Sequence, residues 1–442
     1  MPRWIAVLLL GVAALQAGPP TALAIRDARI VRVSGPVLER GTVVIRDGLI
    51  EAVGTDVNIP ADAWVIEGKG LTVYPGLIDA LSTIGLPASA VAEPPDRVPS
   101  RGSPPATPPS TPAPAAPPAR GPEDRPSNTS WLRAADLLNA SDKKIEAARN
   151  AGFTTAVVFP TRGIFAGEGA VVNLAGESAG KMVVSSPAGL YLSFATGGFA
   201  NYPGSLMGVL AYIRQVWLDA GHYQLAREFY ARHTAGTRRP DYDRALEGWL
   251  EAPRILLPAS RAVEIDRLLR FAAPLKAPLA LYGGHEAHRV AAQLKSAGVP
   301  VIVSLKWPAR DKDADPEPAD SLRTLEYRDG APSTPAALAS AGVRFAFSSE
   351  GLASPRDVAK ALKRALAAGL SQADAVRAFT LSAAEIFGVA DRLGSLDRGK
   401  IANLVVTDGE LFGEKTKVRY VFIDGVKFEP APETGEEKEA AQ

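Results

Sequence analysis

The stretch Pro278-Leu-Ala-Leu-Tyr-Gly-Gly-His-Glu-Ala-His-Arg-Val-Ala-Ala-Gln-Leu-Lys-Ser-Ala-Gly-Val-Pro-Val-Ile-Val-Ser304 reads as a strand, a glycine turn, a helix and a second strand. Pro278–Tyr282 and Val299–Ser304 are apolar runs of strand length, and Ala287–Ala297 is helical and stops at Gly298. Such a unit pairs its two strands in parallel. The same alternation extends outward. Strand candidates Phe153–Phe159, Arg254–Leu257 and Val343–Phe347 interleave with helix candidates Ala134–Ala151, Glu264–Ala272, Pro355–Ala368 and Ala373–Phe379. Over residues 131–390 this predicts an α/β fold, a TIM-type (β/α)8 barrel. The stretch 200–250 is more helical and reads as an excursion from that barrel.

The two ends of the chain have a different period. Ile25–Val33 alternates apolar and polar residues. Gly41–Ile45 runs into Asp47-Gly48, a strong hairpin signal, and Leu49–Val53 returns from it. Near the C-terminus Asn403–Thr407 and Lys417–Ile423 are strand-like, followed by the turn Asp424-Gly425. These strands predict a small β-sandwich domain built from residues 25–70 and 391–429, with the barrel occupying 71–390. Fourteen of the 37 prolines fall between Pro87 and Pro126. Proline lacks the amide donor and fixes φ, so residues 87–127 are expected to be a disordered insertion. Residues 430–442 are expected to be a mobile tail.

Composition narrows the function. The 442 residues carry 49 Lys+Arg against 48 Asp+Glu, so nothing suggests a nucleic-acid footprint. With no cysteine, disulfides, thiolate metal sites and cysteine nucleophiles are excluded. Only four histidines are present. Arg3, the apolar run Trp4–Leu15 and Ala22-Leu23-Ala24 fit a secretory signal over residues 1–24. The expectation is an exported protein, periplasmic or secreted, with no stable membrane span once the signal is removed.

Val43-Val-Ile-Arg-Asp-Gly-Leu-Ile-Glu-Ala-Val-Gly54 and Gly70-Leu-Thr-Val-Tyr-Pro-Gly-Leu-Ile-Asp79 resemble the opening of the amidohydrolase superfamily, closest to its imidazolonepropionase-like and prolidase-like branches. Phe379–Gly388 resembles its last barrel helix, and Leu393–Val406 its returning strand. The resemblance implies hydrolysis of carbon–nitrogen bonds. It also implies zinc or another divalent metal at the C-terminal ends of the strands, where metal-bound water ionises near neutral pH.

The family's ligand positions do not carry ligands here. Its first-strand His-x-His pair falls on Leu81 and Thr83. Its fifth- and sixth-strand histidines fall on Tyr282 and Ser304, and its eighth-strand aspartate on Glu350. No histidine occurs before His222, and neither leucine nor a neutral threonine hydroxyl serves zinc. His285 and His288 stand at i, i+3, and three readings stay open there: a bound metal, an anion at the turn Gly283-Gly284, or a plain helix start. His222 and His233 read as surface residues. Gly163–Gly169 reads as a tight turn after a barrel strand.

The expected function is therefore an amidohydrolase-family protein with a degenerate metal site and no cofactor, acting as a non-catalytic binding or partner subunit. The alternative is an atypical, metal-independent amide hydrolase with Glu350 as general base and Tyr282, His285 and Ser304 as polar partners. The expected partners are a small amide or peptide-like ligand, and a second copy of the chain or an active paralogue.

Overall fold

The structure, a computed structural model, describes residues 22–92, 121–196, 201–310 and 319–430. Five strands come first: β1 (Ala22–Ile30), β2 (Leu38–Arg46), β3 (Leu49–Gly54), β4 (Trp64–Glu67) and β5 (Thr72–Pro75). The middle of the chain supplies β6 (Leu77–Ser82), β7 (Phe153–Val158), β8 (Phe165–Glu168), β9 (Ala170–Asn173), β10 (Val183–Ser185) and β11 (Leu190–Leu192). It continues with β12 (Ile255–Ala259), β13 (Leu279–Gly283), β14 (Val301–Ser304) and β15 (Phe345–Ser348). The C-terminal end returns as β16 (Leu404–Thr407), β17 (Val418–Ile423) and β18 (Val426–Phe428).

The two ends of the chain make one sheet, in the order β18-β17-β16-β5-β1-β2-β3, with β4 beside the first half of β1. The ends meet where β16 pairs antiparallel with β5, Val405 opposite Tyr74. The period-2 pattern puts Ile25, Ile30, Val43, Val73, Leu404 and Phe422 into one buried cluster. Both hairpin turns have positive φ at Asp47-Gly48 and at Asp424-Gly425, and they pack on each other. A Cβ on Gly425 would lie 2.9 Å from the Gly48 Cα, so glycine is required there by proximity as well as by conformation.

The start of β1 changes the reading of the N-terminus. Ala22, Leu23 and Ala24 are buried and paired with Arg46, Ile45 and Val44. A cut after Ala24 would strip the first three rungs of the strand. A cut that leaves the sheet whole falls before Ala22.

The barrel strands lie in two sheets, β10-β9-β7-β6 and β15-β14-β13-β12-β11-β8. β6 and β7 are parallel, as are β11 to β15. The sheets share one extended stretch, since β8 pairs with β11 and β9 with β7 on either side of Gly169. At the other seam the Ser348 Oγ of β15 donates to the Leu81 carbonyl of β6 at 2.8 Å. The ring order is therefore β6, β7, β9/β8, β11, β12, β13, β14, β15. Its third position is antiparallel, where a tight turn was expected at Gly163–Gly169. Glycine is needed at 169 because a Cβ there would sit 2.2 Å from the Phe159 ring, which fills the barrel.

Among the helices, the expected Ala134–Ala151 is broken into Ala134–Leu137 and Lys143–Asn150. Asn139 and Asp142 cause the break, because their side chains accept from the Ser141 and Lys144 amides and compete with the helix ladder. The excursion is the 27-residue helix Leu206–Arg232 followed by Arg244–Glu251. Most of the proline-rich insertion, residues 93–120, and the tail from residue 431 lie outside the described residues.

A buried polar joint ties the small sheet to the barrel. Asn403 Nδ2 donates to Thr155 Oγ1 at 3.1 Å and to Asn173 Oδ1 at 2.8 Å. Its Oδ1 accepts from the Asp424 amide at 2.9 Å, and Asn173 Nδ2 donates to the Asp424 carboxylate at 2.9 Å. Two donors are required at position 403. Asn403→Asp removes both and aims a carboxylate at the Asn173 oxygen. It should cost about 1–3 kcal/mol, read as a lowered melting temperature by calorimetry; an unchanged melting temperature would show that the joint is not built on the amide.

Candidate functional site

The C-terminal ends of the parallel strands, where barrel enzymes place their chemistry, carry Leu81, Thr83, Ser260, His285, Ser304 and Glu350. Leu81 is buried in the barrel interior with Ile78, Phe159, Tyr191 and Tyr282. Tyr191 and Tyr282 stack with ring centroids 4.9 Å apart, and Phe159 lies 6.1 Å from Tyr191. These side chains form an apolar plug in the barrel interior. Thr83, two residues on, is half-buried.

Ring order moves two assignments. Tyr282 lies on the sixth strand and Ser304 ends the seventh, one place later than the resemblance counted them. The third strand lacks a helical crossover and the fourth, Leu190–Leu192, is three residues long, so alternation alone undercounts. The fifth strand ends at Pro258-Ala259 without a histidine, and the sixth ends at Tyr282-Gly283 with His285 two residues beyond.

The polar groups at the mouth are already engaged. The Tyr282 hydroxyl donates to the Leu192 carbonyl at 2.9 Å, and burial pushes its phenol well above the usual range. His285 is buried, with Nε2 3.2 Å from the Ser304 carbonyl and Nδ1 3.1 Å from the Tyr327 hydroxyl. Burial lowers its pKa, so the neutral ring donates from Nε2 and accepts at Nδ1. The Ser304 Oγ accepts from the Lys306 amide at 3.2 Å. His288 turns elsewhere, its Nδ1 on Thr334 Oγ1 at 2.7 Å, so the two histidines do not converge. The turn at Gly283-Gly284 is no anion cradle either. The Gly284 and Glu286 amides donate to the Ala259 and Ser260 carbonyls at 2.7 and 2.8 Å, and the Glu286 carboxylate accepts from Ala262. His222 and His233 are exposed on or beside the long helix.

One residue passed over in the sequence sits closest to Glu350. Asp79, 2% exposed on β6, accepts from the Ser349 amide at 3.0 Å and from the Ser349 hydroxyl. Burial, opposed by these hydrogen bonds, holds its carboxyl at about 6. Glu350 follows directly after Ser349, and burial together with the Asp79 charge holds it at about 7. A carboxylate in the middle of the otherwise apolar strand Leu77–Ser82 was the signal available, because a buried charge must have partners.

Divalent metal does not fit this donor set. Among the described residues no three His, Cys, Asp or Glu side chains converge on one point. Two buried carboxyls whose ionisation is disfavoured by desolvation, an aliphatic side chain and an engaged imidazole do not make a zinc site.

The carboxyl pair sets a pH dependence. Both pKa values are raised above their ordinary 3.8 and 4.5, so the folded chain binds more protons than the unfolded one. The stability they contribute is full below about pH 4 and is lost as pH rises through about 6 and about 7. His285 and His288 are lowered and act in the opposite sense, so the comparison is made against a variant. Melting temperatures of Glu350→Gln should fall less than those of the parent between pH 5 and pH 8; parallel curves would show that the fold does not hold Glu350 above its ordinary value.

Residues 261–427 match the amidohydrolase family model. No curated protein sequence matches the chain. Solved structures do. An amidohydrolase from Thermotoga maritima MSB8 is 24% identical, covers 92% of this chain and 100% of its own, and superposes with a TM-score of 0.74. A prolidase complexed with N-methylphosphonate-L-proline is 17% identical with a TM-score of 0.51, covering 92% and 100%. Molinate hydrolase is 14% identical with a TM-score of 0.53, covering 94% and 98%. The chain therefore has the fold of these amidohydrolases, and its residues 261–427 match the amidohydrolase family's model.

Proposed function

We propose that this chain is a binding or partner subunit built on the amidohydrolase fold, and that it does not carry out metal-dependent hydrolysis. The observation behind this reading is the packing of Leu81. Leu81 is 2% exposed and belongs to an apolar plug with Phe159, Tyr191 and Tyr282, so the first-strand position offers buried aliphatic surface where the resemblance has an imidazole. The ligand class that suits the scaffold is a small amide or a proline-containing peptide, held at the rim above the plug. The reading includes export, supported by Arg3, the apolar run Trp4–Leu15 and the small residues that follow. Among the described residues no helix is long and apolar enough to cross a membrane.

Purified protein offered zinc, manganese and iron and then desalted should hold well below one metal per chain by plasma mass spectrometry. One or two equivalents of tightly held metal would overturn the proposal.

The Asp79–Glu350 pair favours a second reading, a metal-independent hydrolase. A carboxyl held at about 7 is poised to take a proton from water at neutral pH, leaving hydroxide to attack an amide carbon. That step also needs donors for the oxyanion. Two hydroxyls at the site are spent, Tyr282 on the Leu192 carbonyl and Ser349 on Asp79. This is why the binding reading stands first. The decisive comparison is a screen of amide and dipeptide substrates with the parent and Glu350→Gln. No turnover by either supports the binding reading; turnover by the parent that drops on the order of 100-fold or more in the variant establishes the second.

A further inference from the structure

The helix Leu206–Arg232 leaves the barrel wall between β11 and β12 and carries two apolar faces. Val209, Tyr212, Ile213, Val216, Ala220 and Tyr223 form the buried one. On the opposite side Met207, Ala211, Leu218, Leu225 and Phe229 line up at helical spacing and are all exposed, Met207 by 82% and Leu225 by 66%. From Gln224 onward the helix is exposed around most of its circumference. A helix in that position gains little from its own core and is stabilised by tertiary burial of its free face.

The spacing of the stripe identifies what covers it. Its five residues are separated by 4, 7, 7 and 4 positions, which reads the same in both directions about Leu218. A stripe of that kind is complementary to itself when two copies cross antiparallel with the two-fold axis at Leu218. Leu218 then meets its own copy, Ala211 of each chain meets Leu225 of the other, and Met207 meets Phe229. A two-fold contact requires this self-complementarity. The charged neighbours are drawn off the stripe. Gln215 donates to Asp219 at 2.7 Å, Arg227 to Glu247 at 2.6 Å, and the Arg214 guanidinium lies over the Phe271 ring. Gly221 beside the axis has open space where a Cβ would be, which lets a second backbone come close.

The geometry points to an antiparallel helix pair between two copies of this chain, centred on Leu218. The stripe is about 33 Å long at 1.5 Å per residue. Pairing over that length buries on the order of 1,000 Å² in total, near the lower limit for a specific interface, so the dimer is weak and depends on concentration. It does not depend on whether the barrel catalyses anything.

The chain has no cysteine, so an introduced one is the only thiol present. Three variants of the full chain, Leu218→Cys, Leu225→Cys and Ala211→Cys, are oxidised separately and mixed. Leu218→Cys should form a disulfide dimer with itself. Leu225→Cys and Ala211→Cys should each self-link on the order of tenfold more slowly, being beyond disulfide reach of their own copies, yet link rapidly when mixed. By sedimentation the parent should move from monomer to dimer with concentration. Leu218→Glu, which sets two like charges on the axis, should stay monomeric with its melting temperature kept. A parent that is monomeric throughout overturns the inference. So does self-linking at 225 as fast as at 218, which marks a parallel pair, or a dimer that survives Leu218→Glu.

Discussion

The barrel closes through one buried carboxylate. Asp79, on the first strand of the ring, accepts hydrogen bonds from Ser349 just beyond the last, across 270 residues of chain. Next to it the Ser348 hydroxyl reaches the Leu81 carbonyl. The ladder between these strands is replaced by side-chain hydrogen bonds, so the seam depends on a group that is costly to bury unless it is well partnered. Ser349 supplies that partnership with its backbone and its hydroxyl together. The same contact sets Glu350 in the field of Asp79: burial raises both carboxyls, the Ser349 hydrogen bonds oppose the rise at Asp79, and the Asp79 charge adds to it at Glu350.

Leu81 is placed by the other edge of the same strand. The pairing of β6 with β7 shifts register between Asp79 and Ser82, and this bulge turns Leu81 into the barrel interior. There it packs with Phe159 from the second strand and the stacked Tyr191 and Tyr282. Burial of four large side chains is worth several kcal/mol at about 25 cal/mol per Å² of apolar area. The turns, the seam and the joint between the two parts keep an amidohydrolase fold, and Leu81 is part of its buried interior.

The joint at Asn403 shows how the small sheet is held in register with the barrel. Thr155 and Asn173 each present an acceptor to the Asn403 Nδ2 from barrel strands, and Asp424 presents its backbone amide to the Asn403 Oδ1 from the turn at the far end of β17. An amide matches this arrangement at both of its ends, as a carboxylate does not. Residue 403 is therefore part of the architecture.

Much of this was legible in the sequence, because the controlling signals are local. Period-2 alternation and two Asp-Gly turns specify the end strands, and the run Pro278–Ser304 specifies a parallel strand pair around a helix. The scarcity of histidine, with none before His222, is enough to deny the first strand its imidazole pair. What the tertiary structure decided lies between residues far apart in the chain. The stretch 165–173 became an antiparallel strand because it closes a gap between two sheets, and nothing in its own glycine-rich sequence states that. Asp79 became half of a carboxyl pair because ring closure brings residues 79 and 349 together. Helix and strand periods report what a residue's neighbours three or four positions away require; they carry no information about which strand will lie opposite, and that is where the chemistry of this site was settled.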